Sequence, residues 1–141
     1  MNALQRYALA VGRVLVAVIF LANGFGIIPQ AQPARELADA GAPAALVPLL
    51  MVVARTIEIG GGFGLMLGIY PRIAAIALIA FLVPASFAAH GFWQAVGTST
   101  YIPQLLNFLK NVATIGGLLF VAATSDQPTL VPRPPVQAPH Q

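Results

Sequence analysis

The stretch ALVPLLMVVARTIEIGGGFGLMLGIYPRIAAIALIAFLVPASFAAHG, Ala45 to Gly91, decides the fold. It holds two apolar runs, about Ala45 to Gly68 and about Ile73 to Gly91, separated only by a turn at Tyr70-Pro71-Arg72. Each run is close to the roughly 20 residues a helix needs to cross a hydrocarbon core of about 30 Å. A connection this short, with a proline in it, sends the second helix back alongside the first, so the stretch reads as an antiparallel membrane-spanning hairpin.

Two more runs of the same kind flank the hairpin, about Tyr7 to Ile28 and about Gln104 to Thr124. The expected fold class is therefore all-α, a four-helix transmembrane bundle with up-down-up-down topology occupying residues 1–125. The first run does not read as a cleaved signal peptide: Arg13 interrupts it, no clear A-x-A site follows, and its loss would leave three spans with nothing to cover their polar faces. Pro29, Pro33, Gly41 and Pro43 mark turns before the second span. Between them Pro33 to Ala42 suits a short interfacial helix with Arg35, Glu36 and Asp39 on its wet side. Residues Asp126 to Gln141 are rich in Pro and Gln and are expected to form an exposed polyproline-like or disordered tail.

Composition points the same way. Only 8% of the 141 residues are charged, against about 25% in typical soluble proteins, and 58% are hydrophobic. Seven basic and four acidic side chains cannot solvate a globule of this size, and the same hydrophobicity excludes disorder. The net charge is +3 and the basic residues are scattered singly, so nucleic acid is not an expected partner. The absence of cysteine excludes disulfides, thiolate ligands and a dithiol pair, leaving any thiol chemistry to a partner. Arg6, Arg72 and Arg133 fall on one side of the spans and Arg35 on the other, which predicts cytoplasmic termini.

An ionisable group deep in a bilayer is costly unless paired or hydrated, so charges inside the spans carry the most information about function. There are four: Arg13, Arg55, Glu58 and Lys110, with a net charge of +2 that internal pairing cannot cancel. Arg55, Glu58 and Gly62 share one side of the second span. Gly60, Gly64 and Gly68 recur every fourth residue on a largely different side, a small-xxx-small pattern suited to close packing in the bundle or in a homo-oligomer. In the fourth span Asn107, Lys110, Asn111 and Thr114 form a polar stripe, and in the first Arg13, Ala17, Phe20 and Gly24 share a face. Ser86 and His90 lie one turn apart in the third, where Pro84 is expected to kink the helix.

Depth arithmetic places Arg13 about 7 Å to the cytoplasmic side of the midplane, Glu58 near it and Lys110 about 6 Å beyond it. This predicts a cluster centred on Glu58, within reach of both cations, and a donor-rich pocket toward the outer leaflet formed with Arg55 and His90. The candidate ligand-binding residues are thus Arg13, Arg55, Glu58, His90, Asn107, Lys110 and Asn111, beside the plainer reading that the cluster only sets helix register. His90, next to Phe92 and Trp93, also suits an interfacial position. One His and one Glu do not make a metal site, and no Ser-His-Asp, HExxH, P-loop or dinucleotide motif is present.

The same segments carry a family resemblance. Gly12-Arg13 through Phe20-Leu-Ala-Asn-Gly24 resembles the opening helix of the DoxX family. So do Glu58-Ile-Gly-Gly-Gly62 with Leu65 to Arg72, His90-Gly-Phe-Trp93, and Phe108-Leu-Lys110-Asn111 running on to Gly116-Gly117, in this order and spacing. The likeness covers about Val11 to Ala123. One departure is that Gly24-Phe25-Gly26 is followed by Ile27 where family members often carry Lys in a G-x-x-K arrangement, so any role of that Lys does not transfer. The resemblance implies a four-span protein of a bacterial or archaeal cytoplasmic membrane and a redox context, the family being named for a subunit of a thiosulfate:quinone oxidoreductase. The expected function is an accessory or anchor subunit of a membrane-associated oxidoreductase with a quinone pocket, no intrinsic cofactor and a redox partner as electron source. In the pocket, Arg55, Lys110 and His90 would donate to the headgroup while Glu58 handles protons. A transporter subunit for a small anion or weak acid, and a structural or stress-response membrane protein without a ligand, are the alternatives.

Overall fold

The apolar runs form helices, and the computed structural model describes residues 3–28, 33–39 and 41–125. The elements are α1 (Ala3–Gly24), α2 (Pro33–Asp39), α3 (Val47–Leu67), α4 (Pro71–Ala89), a 3₁₀ turn (Phe92–Gln94) and α5 (Tyr101–Thr124). Four helices are long and apolar enough to cross a membrane. Proline sits in the first turn of α3 and of α4, where its missing N–H leaves nothing unsatisfied. The first span starts earlier than the hydropathy suggests and ends at Gly24 instead of Ile28. Past Gly24 the chain turns, the N–H of Gly26 bonding to the carbonyl of Asn23. The interfacial helix α2 stops at Asp39, with Arg35 and Asp39 exposed. Pro29, the Glu36 side chain and the whole 126–141 segment, Arg133 included, lie outside the described residues.

The α3–α4 hairpin shows how the turn is built. Gly68 takes φ +69°, and the N–H groups of Gly68 and Ile69 bond back to the carbonyls of Leu65 and Gly64. This is the crossed pair of bonds that ends a helix through a left-handed residue. Tyr70 is also left-handed, at φ 46°, and Pro71 then starts α4. A side chain at position 68 would be strained, and its Cβ would come within 3.3 Å of the Arg13 guanidinium. Gly68→Ala is expected to cost about 1–2 kcal/mol, read as a lowered unfolding midpoint in detergent.

The helices pack in a ring, α1 on α3, α3 on α4, α4 on α5, with α5 closing only lightly onto α1. The buried core is small, centred on Ala17, Phe20, Leu65, Leu78 and Leu118. Leu15, Val52 and Phe120, on three different helices, are each more than 60% exposed. That is a lipid-facing surface. Because acyl chains are as apolar as leucine, the helices hold together by close backbone approach more than by burial.

Glycines supply that approach, and of the predicted set only Gly64 is among them. A Cβ at Gly24 would meet Ile59 at 2.6 Å, at Gly61 Leu78 at 2.7 Å, at Gly62 Leu21 at 2.8 Å and at Gly64 Ala74 at 2.9 Å. Gly60 has open space around it and Gly68 serves the turn, so Gly60, Gly64 and Gly68 do not form one packing face inside the bundle. The reason is rotation about α3. Its neighbours α1 and α4 touch it on two sides, at Gly62 and at Gly61 and Gly64, and Gly60 looks outward between neither.

Candidate functional site

Glu58 is buried on the face of α3 that also carries Gly62 and Leu65. It is 8% exposed, and within the described residues its carboxylate makes no hydrogen bond and no ion pair. Its backbone lies where α1 ends, its Cβ against Gly24, and Arg55 one turn away is close enough for Coulombic attraction. The Arg55 guanidinium extends from a more exposed position, and its Nη1 donates to the Gly24 carbonyl at 3.2 Å. A cation there complements the negative end of the α1 dipole.

Arg13 occupies the reciprocal place. Its guanidinium lies over Gly68, at the C-terminal end of α3. Each of the two packed helices thus sends an arginine to the other's C-terminus, which accounts for charges deep in both spans. The two are not equally satisfied: Arg55 bonds a carbonyl, while the buried Nε of Arg13 has no partner among the described residues.

This geometry corrects the predicted centre. Glu58 packs at the level of Gly24, eleven residues along α1 from Arg13, a separation of about 16 Å. Glu58 therefore does not reach Arg13. Lys110 is exposed on α5 and does not pair with it either. The stripe on α5 divides. Asn111 turns inward and its Nδ2 donates to Ser86 Oγ at 3.0 Å, Lys110 faces outward, and Thr114 donates to the Lys110 carbonyl of its own helix. Asn107 is half-buried without a hydrogen bond among the described residues. Ser86 in turn donates to the Leu82 carbonyl, the usual way a hydroxyl is satisfied inside an apolar helix.

His90 follows the last turn of α4, and its Nδ1–H donates to Gln104 Oε1 at 3.0 Å. Near it Phe87, Phe92, Trp93, Tyr101 and Phe108 pack together, edge to face except for the tilted Phe87–Trp93 pair, with neighbouring ring centroids 5.1–6.4 Å apart. Such a cluster is the aromatic belt of a membrane interface. Arg55, His90, Asn107, Lys110 and Asn111 thus lie in the half of the bundle away from the chain termini, Glu58 stands near the middle of α3 where α1 ends, and Arg13 lies in the other half.

Sequence reasoning missed a cavity. It measures about 560 Å³ and lies between α1 and α5, at the end where the described chain begins and ends. Arg13 is its one charged lining residue. The signal was available only as two glycines, Gly12 and Gly117, on faces whose pairing the sequence does not state. Among the described residues no three His, Asp or Glu side chains gather closely enough to hold a metal ion.

Comparison with known proteins follows this architecture. The DoxX family matches residues 8–91. Inner membrane protein YqjF of Escherichia coli K12 is 28% identical over 126 residues, 88% of each chain. Inner membrane protein YphA of the same organism is 27% identical over 125 residues, 87% of this chain and 86% of its own. No solved structure matches. Four apolar helices among the described residues, and a family match from α1 through α4 that takes in Arg13, Arg55 and Glu58, lead to one conclusion: the chain belongs to the DoxX family.

Proposed function

We propose that this multi-pass membrane protein is an accessory subunit that anchors or assists a membrane-associated oxidoreductase and holds a quinone headgroup beside Arg55 and Glu58. One observation carries the reading: Glu58 is a buried carboxyl group in a spanning helix with neither hydrogen bond nor ion pair among the described residues. Such a group in a membrane marks a proton or ligand path more often than a structural pair. Among the described residues Arg55 commits only Nη1, to Gly24, which leaves its other N–H groups to a ligand oxygen. A quinone becomes a quinol by taking up two electrons and two protons. Arg55 stabilises negative charge on the headgroup oxygen, and Glu58 holds and delivers a proton. The chain has no cysteine, so in this reading a partner supplies the electrons. The bias of Arg6 and Arg72 toward one end, against Arg35 at the other, supports an orientation with both termini cytoplasmic and the Arg55 half toward the outer leaflet.

The test is extraction of lipid from protein purified in mild detergent, with thermal unfolding in the presence of ubiquinone or menaquinone. Co-purified quinone and a raised midpoint that disappears in Arg55→Gln are the expected results. Protein that carries no quinone and is not stabilised by either addition overturns the reading.

A further inference from the structure

We infer that the cavity between α1 and α5 binds an anionic headgroup bearing an acyl chain, an acidic phospholipid or a fatty acid, with Arg13 as its charge partner. The site lies in the opposite half of the bundle from Arg55 and stands independently of the quinone reading.

Among the described residues Arg13 is a charge without a counter-charge. A guanidinium stays protonated at every accessible pH, and here its Nε is fully buried with no hydrogen-bond partner. Among the described residues no carboxylate faces the cavity, and Glu58 is about 16 Å away along α1. The end of α3 at Gly68 offers partial negative charge but no hydrogen bond to this side chain. A neutral headgroup would leave the charge uncompensated. A phosphate or carboxylate matches both its sign and its forked donors.

The rest of the cavity is built for a hydrocarbon chain. Leu9, Val16, Phe120 and Val121 line it, and Gly12 leaves open space beside it while Gly117 packs close to Val16. It runs from Gln5 to Val16 along α1, about 16 Å. Its volume of about 560 Å³ falls in the range of small-molecule sites, roughly 300–1,000 Å³. α1 and α5 touch only lightly, so the cavity opens sideways to the bilayer and a lipid enters without crossing the core.

The experiment uses the full chain, delipidated in maltoside detergent, and reads the shift in unfolding midpoint with added dioleoylphosphatidylglycerol, oleate, dioleoylphosphatidylcholine or inorganic phosphate. The phosphatidylglycerol and oleate arms separate phospholipid from fatty acid, and stabilisation by either supports the proposal if phosphatidylcholine and phosphate give none. Arg13→Gln should weaken the response about tenfold or more, whereas Arg72→Gln, an exposed cation outside the cavity at the same end, should leave it intact. Gly12→Leu fills the cavity, since a Cβ there meets nothing within 4 Å, and should abolish the response with Arg13 still present. This variant carries the test if Arg13→Gln does not fold. Equal stabilisation by phosphatidylcholine or by phosphate alone overturns the proposal, as does an unchanged response in Gly12→Leu. So does a chain that responds to neither phosphatidylglycerol nor oleate.

Discussion

Gly62→Leu is expected to lower the stability of the bundle by about 3 kcal/mol, while Gly60→Leu, two positions earlier on the same helix, is expected to cost nothing. The contrast follows from what a side chain would meet. At Gly62 an added Cβ lies 2.8 Å from Leu21 Cδ2, 2.9 Å from Leu21 Cγ and 3.6 Å from the Ala17 carbonyl. Leucine at this position has to drive α1 away from α3 and open the core at Ala17 and Phe20. A bundle held by backbone proximity has no large hydrophobic gain from repacking to offset this. At Gly60 a Cβ meets nothing within 4 Å, so leucine there extends into lipid and relieves the glycine's cost in helix formation. Equilibrium unfolding in mixed micelles measures both variants. Equal destabilisation would contradict the rotational setting of α3. A loss at Gly60 that depends on protein concentration would instead show that the Gly60 face meets a second copy of the chain.

Glu58→Gln is expected to reduce quinone-linked turnover of the assembled system by about 10²- to 10⁴-fold with folding intact. Glutamine keeps the volume and polarity of the side chain but cannot hold or release the proton. It also removes a buried charge with no ion-pair partner among the described residues, so stability should hold or rise. The measurement pairs a cellular or reconstituted activity with expression level and unfolding midpoint. Full activity at normal expression would assign Glu58 to helix register alone and remove the basis of the quinone reading. Loss of activity together with loss of folding would point to the same structural role.

Much of this protein is legible in order of sequence. The shortage of charge sets the solvent, and the length of the apolar runs sets the number of crossings. The Tyr70-Pro71-Arg72 connection makes α3 and α4 antiparallel, and helical periodicity puts Ala17, Phe20 and Gly24 on one buried face and Glu58 and Gly62 on another. The grouping of His90, Lys110 and Arg55 toward one end also follows, because it depends only on the up-and-down alternation of the chain. The pairing of Glu58 with Arg13 and Lys110 fails because it needed more than that alternation.

What the sequence determines by itself is local and one-dimensional: hydropathy selects the bilayer as solvent, and the 3.6-residue period assigns residues to faces. What the tertiary structure decided is the sliding and rotation of each helix against its neighbours. In a membrane the outer surface is apolar all round, so no polar face reports which way a helix turns, and steric fit between small residues sets the register. That fit seats Gly24 on Ile59 and Gly62 on Leu21. It thereby carries Arg13 to the end of α3, away from Glu58, and leaves beside it a cavity that no single helix contains.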